Sequence, residues 1–416
     1  MGEPFILGRG KDFCRGCNGA DLFSALNLGD LPIANELWSD EKESPEIFPL
    51  HLRICNACGL GQVEDVVTPT RLFRDYRYLS SISTSFTEHA RRFVLSMVES
   101  DLINSEDWVL EIASNDGYLL RHFIDKGIRV LGVEPAENVA RIASNDGIPT
   151  ISEFFGEDLA VSIRKKMGHP KLIIANNVMA HVPDLQDFVA GLAQIAGPET
   201  IISIENPSLL NLTENDQFDT IYHEHFSYLT AHSVAKIVEV FGLELFDLEK
   251  IGTHGGSQRY WLRQKAAGKL PSNRVQVIVE SELKAGLFDQ RLWSEFSLRI
   301  QSLLISFHDW LKLSFDRGNT VCGYGAAAKA STLINAAKIE KSWIKVIADA
   351  SPEKQGRYMP IHGIPIVSPQ AMFALEPSDV VIFPWNITEE LTIKIKQGSK
   401  TPVQLWKAIP TLTRIP

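Results

Sequence analysis

The chain has 416 residues, more than one ordinary domain needs and enough for two or three. It is 44% hydrophobic and 22% charged, as a globular protein is, and its formal net charge of -10 argues against a general nucleic-acid or anionic-membrane binder. A phosphorylated small ligand stays open, because local amides and a few cations suffice to hold phosphate. No apolar run approaches the roughly 20 residues that span a bilayer. The start, Met1-Gly-Glu-Pro-Phe5, lacks the basic head and apolar centre of a secretory signal. A cytoplasmic protein is expected, a monomer or small homo-oligomer, with neither nucleic acid nor membrane among its partners.

Five cysteines is an odd count, and four of them pair by spacing, as Cys14-Arg-Gly-Cys17 and Cys55-Asn-Ala-Cys58. Each knuckle bends the chain so that two thiolates meet one ion, with Gly16 and Gly59 where tight turns need them. Four thiolates make a closed tetrahedral shell, which suits structural zinc rather than catalysis or, in a reducing compartment, disulfides. The segment between the knuckles must fold out as an excursion, and the ion stabilises a lobe too small for its own core. Tyr76 and Tyr78 follow, with serines behind them, and are candidates to line a polar site. Thr84 to Glu99 then reads as a helix with Phe86, Phe93 and Val94 on one side.

Trp108 to Ile112 is a buried-strand run, Ala113-Ser-Asn-Asp-Gly117 a turn, Tyr118 to Lys126 a helical run, and Arg129 to Val133 a second strand ending in Glu134. In such a unit the loop brings backbone N–H groups to a ligand, and the second-strand carboxylate accepts two ribose hydroxyls. A dinucleotide site asks for G-x-G-x-x-G. Here Glu111-x-Ala113-x-x-x-Gly117 lacks those glycines, so a nucleoside without phosphates fits better, and that points to S-adenosylmethionine. Glu111, Ala113, Ser114, Asn115, Gly117 and Glu134 are the candidate cofactor residues, joined by Asn176 at the end of the strand Lys171 to Ala175. Ala113 replaces a customary glycine, which is harmless if the backbone there needs no positive φ. A helix (Leu185 to Ala196), a strand (Thr200 to Glu205) and an antiparallel hairpin (Leu243 to Ile251, Gln258 to Arg263) follow, and a mostly parallel sheet with a late antiparallel strand is compatible with a seven-stranded methyltransferase. His181 lies just past the Lys171 strand, at the edge where ligands sit in open α/β sheets.

Tyr222-His-Glu-His225 places two imidazoles, a carboxylate and a phenol in four consecutive positions. Proton abstraction needs such a set: a base near neutral pH, a carboxylate to orient it, and a donor for developing negative charge. Spacing alone does not say whether His223 or His225 is the base.

From Val275 to Leu313 the sequence is helix-permissive and proline-free, suggesting one or two helices crossing between domains. Asn319 to Thr332 then opens a second strand–glycine loop–helix unit, with Ile344 to Ala348 as its next strand, ending at Asp349, and Asp379 to Phe383 as a third. Gly323-x-Gly325 lets helix amides approach a phosphate, and Lys329 adds positive charge one turn in. Cys322 reads as a core residue.

Taken together, the knuckles, Tyr76-Arg-Tyr78, Glu111 to Leu120, Asn176-Asn-Val-Met-Ala-His181, Tyr222 to Leu229 and His254-Gly-Gly-Ser257 resemble, in order and over nearly the whole chain, the zinc-containing sugar C-methyltransferases. These act at C3 of nucleotide-linked 4-keto-deoxysugars. The resemblance implies an α/β protein in three parts: a zinc-binding lobe (1–80), a Rossmann-like seven-stranded methyltransferase domain (81–268) and a C-terminal Rossmann-like domain for the nucleotide-sugar (269–416). It implies S-adenosylmethionine and structural zinc as cofactors. It casts His225 as the base that removes the C3 proton and Glu224 as a group that orients the site or contacts the sugar. Tyr222, His181 and Tyr76 would hold the C4 oxygen or relay protons. Tyr78, Gly323, Gly325, Lys329 and Asp349 would meet the substrate. Two other readings remain: a sugar oxidoreductase using NAD(P) in the C-terminal domain, and a non-catalytic nucleotide-binding zinc scaffold.

Overall fold

A computed structural model of the chain describes residues 8, 10–40, 46–73, 79–265 and 270–416. Tyr76, Tyr78 and the side chain of His254 lie outside the described part.

The excursion between the knuckles is an antiparallel pair, Leu22–Pro32 with Ile47–Cys55, in a register that sets Leu22 against Cys55. Its second strand buries Leu50, Leu52 and Ile54, one face of a pleat. Gly61–Gln62 adds a third strand, and the fourth, Ser227–Tyr228, arrives from far along the chain. That last strand begins two residues after His225. The histidine segment is therefore stitched into the N-terminal sheet by backbone hydrogen bonds, a relationship that sequence pattern did not reveal.

The middle sheet has seven strands, in the order Leu243–Ile251, Ser257–Gln264, Ile201–Pro207, Leu172–Asn176, Trp108–Ile112, Arg129–Val133, Thr150–Ile151. The last five run parallel, and Ser257–Gln264 alone runs against them, antiparallel to both its neighbours. Trp108–Ile112 is buried along its whole length, as a central parallel strand covered on both faces must be. Helix Thr84–Glu99 covers one face with Ala90, Phe93, Val94 and Met97. The loops after Ile112 and Asn176 lie at the carboxyl edge, where open α/β sheets bind ligands.

Two helices, Asn273–Lys284 and Gln290–Asp316, lead to the C-terminal sheet. The longer one buries Trp293, Phe296, Ile300, Leu303, Phe307 and Leu311, a helical stripe whose cluster joins the N-terminal sheet to the C-terminal one. The six-stranded sheet orders Ile366–Val367, Ile347–Ala348, Val321–Tyr324, Asp379–Ile382, Gln404–Lys407 and Thr413–Ile415, parallel but for the last pair. Its second strand, Ile347–Ala348, is shorter than the expected Ile344 to Ala348, although Lys345 N and the Val346 carbonyl still hydrogen-bond to Val321 and Gly323 of the neighbouring strand. Cys322 is fully buried in this core. Among the described residues no helix is long and apolar enough to cross a membrane.

Candidate active site and cysteine centre

The Sγ atoms of Cys14, Cys17, Cys55 and Cys58 all lie within 4.8 Å of one another. Cys14 and Cys58 are 3.5 Å apart and Cys17 and Cys55 3.6 Å. Zinc–thiolate bonds of about 2.3 Å in a tetrahedron separate sulfurs by about 3.8 Å, so the four fit one zinc ion. Gly59 takes φ +73° to close its knuckle, and the Gly16 amide donates to Cys14 Sγ at 3.4 Å.

The loop after Ile112 uses left-handed backbone three times, at Ala113 (φ +54°), Asn115 (φ +51°) and Gly117 (φ +74°). The condition set for Ala113 is thus not met: this position does need positive φ, and alanine adopts it at a steric cost of order 1 kcal/mol. Glu134 holds the loop from below, its two oxygens accepting from Asn115 N at 2.9 Å and Ala136 N at 2.8 Å. Burial raises the Glu134 carboxyl and the two amides oppose the rise. Asn115 Oδ1 accepts from Ser80 N at 2.9 Å, which ties the loop to the segment entering the domain.

One cavity of about 1790 Å³ runs from this loop across to the C-terminal sheet and touches all three parts of the chain. Ala113, Asn115, Glu134 and Asn176 line it, while Glu111, Ser114 and Gly117 stand behind the wall. Glu111 is buried under the loop, and its carboxyl is pushed well up, by burial first and then by Glu134 and Asp116. Gly117 lies against Ile148, where a Cβ would come within 2.1 Å of its Cδ1.

His181, Tyr222, Glu224 and His225 line the same cavity. His223 is not among the lining residues: it is buried against Phe48, with Nε2 at 3.3 Å from the Phe48 carbonyl. His225 donates Nδ1–H to the Thr220 carbonyl at 2.8 Å, so its Nε2 is an acceptor, and the Tyr222 phenol donates to it at 2.8 Å. His181 donates Nδ1–H to the Glu224 carbonyl at 2.7 Å, and its ring centroid lies 4.7 Å from that of His225. Burial lowers His181 to about 4, so the imidazole is neutral and offers Nε2 as an acceptor. Glu224 Oε1 accepts from Asn35 twice, at 3.1 Å from N and 3.0 Å from Nδ2. Its Oε2 is buried with no partner among the described residues. Burial raises this carboxyl to about 7, well above its ordinary 4.5.

The C-terminal part of the chain completes the lining. Gly325 (φ +91°), Lys329 and Asp349 line the cavity, whereas Gly323 sits in its strand, where a Cβ would meet Phe383 at 2.5 Å. Asp349 plays the part Glu134 plays in the middle domain, accepting from Ala326 N and Ser351 N at 2.8 Å each. Lys329 Nζ reaches Asn386 at 2.8 Å and lies 4.1 Å above the Trp385 ring, whose Nε1–H donates to buried Asp219 at 2.8 Å. Burial lowers Lys329 to about 8, opposed by Asp219.

Several lining residues carried no signal in the sequence. Asn35 meets Glu224 across 189 positions, and Glu205 gathers His89 (2.9 Å), Arg259 (2.7 Å) and Thr253 (2.7 Å) at the cavity edge. Only tertiary packing makes these pairs.

A seven-stranded sheet whose first loop and second-strand carboxylate line a cavity, with a four-cysteine centre beside it, defines an S-adenosylmethionine-dependent methyltransferase with a zinc-binding lobe. Comparison with known proteins agrees. Residues 14–73 match a family described as "Putative zinc binding domain", 86–248 a "Methyltransferase domain" and 252–410 a "C-methyltransferase C-terminal domain". The C-methyltransferase NovU of Streptomyces niveus is 32% identical over 382 residues, 91% of each chain. Among solved structures, magnesium protoporphyrin IX methyltransferase (ChlM) from Synechocystis PCC 6803 with bound SAM is 13% identical with a TM-score of 0.33, covering 43% of this chain and 79% of that one. The PH0226 protein from Pyrococcus horikoshii OT3 is 14% identical with a TM-score of 0.35, covering 48% and 97%. The chain belongs to the zinc-containing sugar C-methyltransferase family. Its chemistry is methyl transfer, which sets aside the nicotinamide oxidoreductase and the scaffold.

Proposed function

We propose that the protein methylates C3 of a nucleotide-linked 4-keto-6-deoxysugar through a base-generated enolate, with units 1–80, 81–268 and 269–416 serving zinc, methyl donor and nucleotide-sugar. The observation that carries this reading is the hydrogen-bonded Tyr222–His225 pair, which lines the same cavity as Ala113, Asn115 and Glu134 of the donor loop and its second strand. A proton α to a carbonyl leaves only if the enolate oxygen is stabilised as it forms. His225 is fixed by Thr220 with its one acceptor nitrogen on the phenol. As the phenol oxygen takes the C3 proton, the phenol hydrogen passes to His225 Nε2, and the relay leaves an imidazolium beside a phenol that again carries a hydrogen. Glu224, neutral below about pH 7 and holding Asn35 with Oε1, has Oε2 to donate to the C4 oxygen. A buried carboxyl kept neutral for this purpose is an established way to hold an enolate. Neutral His181 accepts from a ring substituent.

In the middle domain Glu134 and Asn176 would take the donor's polar groups, with Ala113 and Asn115 shaping the loop against it. The bound sulfonium supplies the electrophilic methyl. Lys329 and the Gly325 loop would face the nucleotide phosphates, and Asp349 fixes that loop as Glu134 fixes its own. Zinc stays in the N-terminal lobe, held by the four thiolates.

Incubation with isotopically labelled S-adenosylmethionine and a panel of 4-keto nucleotide sugars tests the proposal. A label on carbon at C3 is expected. A label on oxygen or nitrogen, or at another ring carbon, contradicts it.

A further inference from the structure

The residue inside the first knuckle, Arg15, is 1% exposed. Its guanidinium donates to Asp65 Oδ1 at 2.8 Å, to the Val63 carbonyl at 2.5 Å and to the Pro183 carbonyl at 3.2 Å, and it lies 5.3 Å from the Phe226 ring centroid. Pro183 is two residues past His181, and Phe226 directly follows His225. Val63 N donates to the Phe226 carbonyl at 3.1 Å, and Gln186 Nε2 donates to the carbonyl of Gly16, the other inner residue of the knuckle, at 3.3 Å. The Arg15 amide itself donates to Gln62 Oε1 at 3.0 Å, in the strand that pairs with Ser227–Tyr228.

We propose that Arg15 is a positioning residue: it transmits the fixed geometry of the cysteine centre to the His181 and His225 loops. This rests on the reading of those two histidines as active-site groups. A buried ion pair is a poor source of stability, since apolar residues of the same volume are often as good. A rigid fork with several donors is instead suited to holding separate backbone segments in register. Here the fork meets the His181 loop through the Pro183 carbonyl, and the His225 segment through Val63, whose own amide donates to the Phe226 carbonyl. The two loops in turn touch, through His181 Nδ1 and the Glu224 carbonyl at 2.7 Å. A displacement of about 1 Å in such a constellation costs about a hundredfold in rate.

The test uses full-length zinc-loaded protein and two variants. Arg15→Met with Asp65→Asn removes both charges together, and Arg15→Lys keeps a charge for Asp65 without the fork, so it decides the matter if the double variant does not fold. We expect zinc content equal to wild type and S-adenosylhomocysteine affinity within about twofold, because the donor loop is elsewhere. We expect kcat to fall about tenfold or more at nearly constant KM. Nitrogen-15 spectra should show His181 leaving its pure Nδ1–H form for a mixture of tautomers. Wild-type turnover and histidine spectra in the variants would overturn the proposal. So would loss of zinc, or donor affinity falling in step with kcat, since either makes Arg15 a general structural residue. If wild type itself methylates no nucleotide sugar, the functional reading fails separately, and the spectra still decide the positioning role.

Discussion

The phenol of Tyr222 donates to Nε2 of His225 at 2.8 Å, while Nδ1 of the same ring is committed to the Thr220 carbonyl. The imidazole therefore has one place to accept a proton, and the phenol stands at it. His225→Ala should lower kcat by about 10³-fold or more, and Tyr222→Phe by about 10²-fold, within the range of positioned acid–base groups. S-adenosylhomocysteine affinity, read by calorimetry, should stay within about twofold for both, since pair and donor loop are separate segments of the chain with their own hydrogen bonds. Equal loss of donor affinity would count against the assignment.

Glu224 is expected to set an alkaline limit. Its carboxyl is raised from 4.5 to about 7, so between those values the folded protein holds a proton that the unfolded chain has lost. The stability this contributes is complete below about pH 4.5 and fades as pH rises through about 7. If Oε2 donates to the enolate, kcat/KM should fall with an apparent pKa near 7. Glu224→Gln retains a donor without titrating. It should flatten that limb while keeping about a tenth of the rate. A limb unchanged in the variant would assign it to another group.

The donor loop makes an unusual demand of Ala113. Ala113→Gly relieves left-handed strain but frees the unfolded chain, so the net change should be a gain of about 0–1 kcal/mol with donor binding intact. Gly117→Ala faces both φ +74° and the Ile148 side chain, and should cost about 1–3 kcal/mol and weaken S-adenosylhomocysteine. Thermal denaturation and calorimetry separate the two. An Ala113→Gly protein that melts lower would show that the alanine methyl packs usefully.

Cys14→Ser should release the ion and destabilise the N-terminal sheet, as should chelation of the native protein, because the ion closes a lobe with little core of its own. Elemental analysis is the check. Unchanged zinc content would sink the site.

Most of the architecture was legible because it rests on local signals. Six strands of the middle sheet follow from strand–loop–helix periodicity, and the cysteine centre from its spacing, whereas Thr150–Ile151, a seventh strand only two residues long, gives no periodic signal. The site was legible only where it is contiguous, as in Tyr222 to His225. Periodicity and spacing are blind to the contacts that complete it. Asn35 on Glu224, Trp385 on Asp219 and Arg15 on Pro183 each join segments more than 150 positions apart. The choice between His223 and His225 had the same limit: His223 turns toward Phe48 in a strand of the N-terminal sheet, which four adjacent letters do not convey. Tyr76 and Tyr78 lie outside the described residues, and their part in the site stays a proposal.

The most direct test of the central claim is hydrogen exchange at C3. A 4-keto-6-deoxy nucleotide sugar is incubated in heavy water with the enzyme and S-adenosylhomocysteine, which fills the donor site without a methyl to give, and C3 is followed by proton NMR. Enolate formation by the Tyr222–His225 pair predicts loss of the C3 signal with wild type and its persistence with His225→Ala. Exchange that continues unchanged in His225→Ala would contradict the account, as would no exchange from a wild-type enzyme that methylates the same sugar.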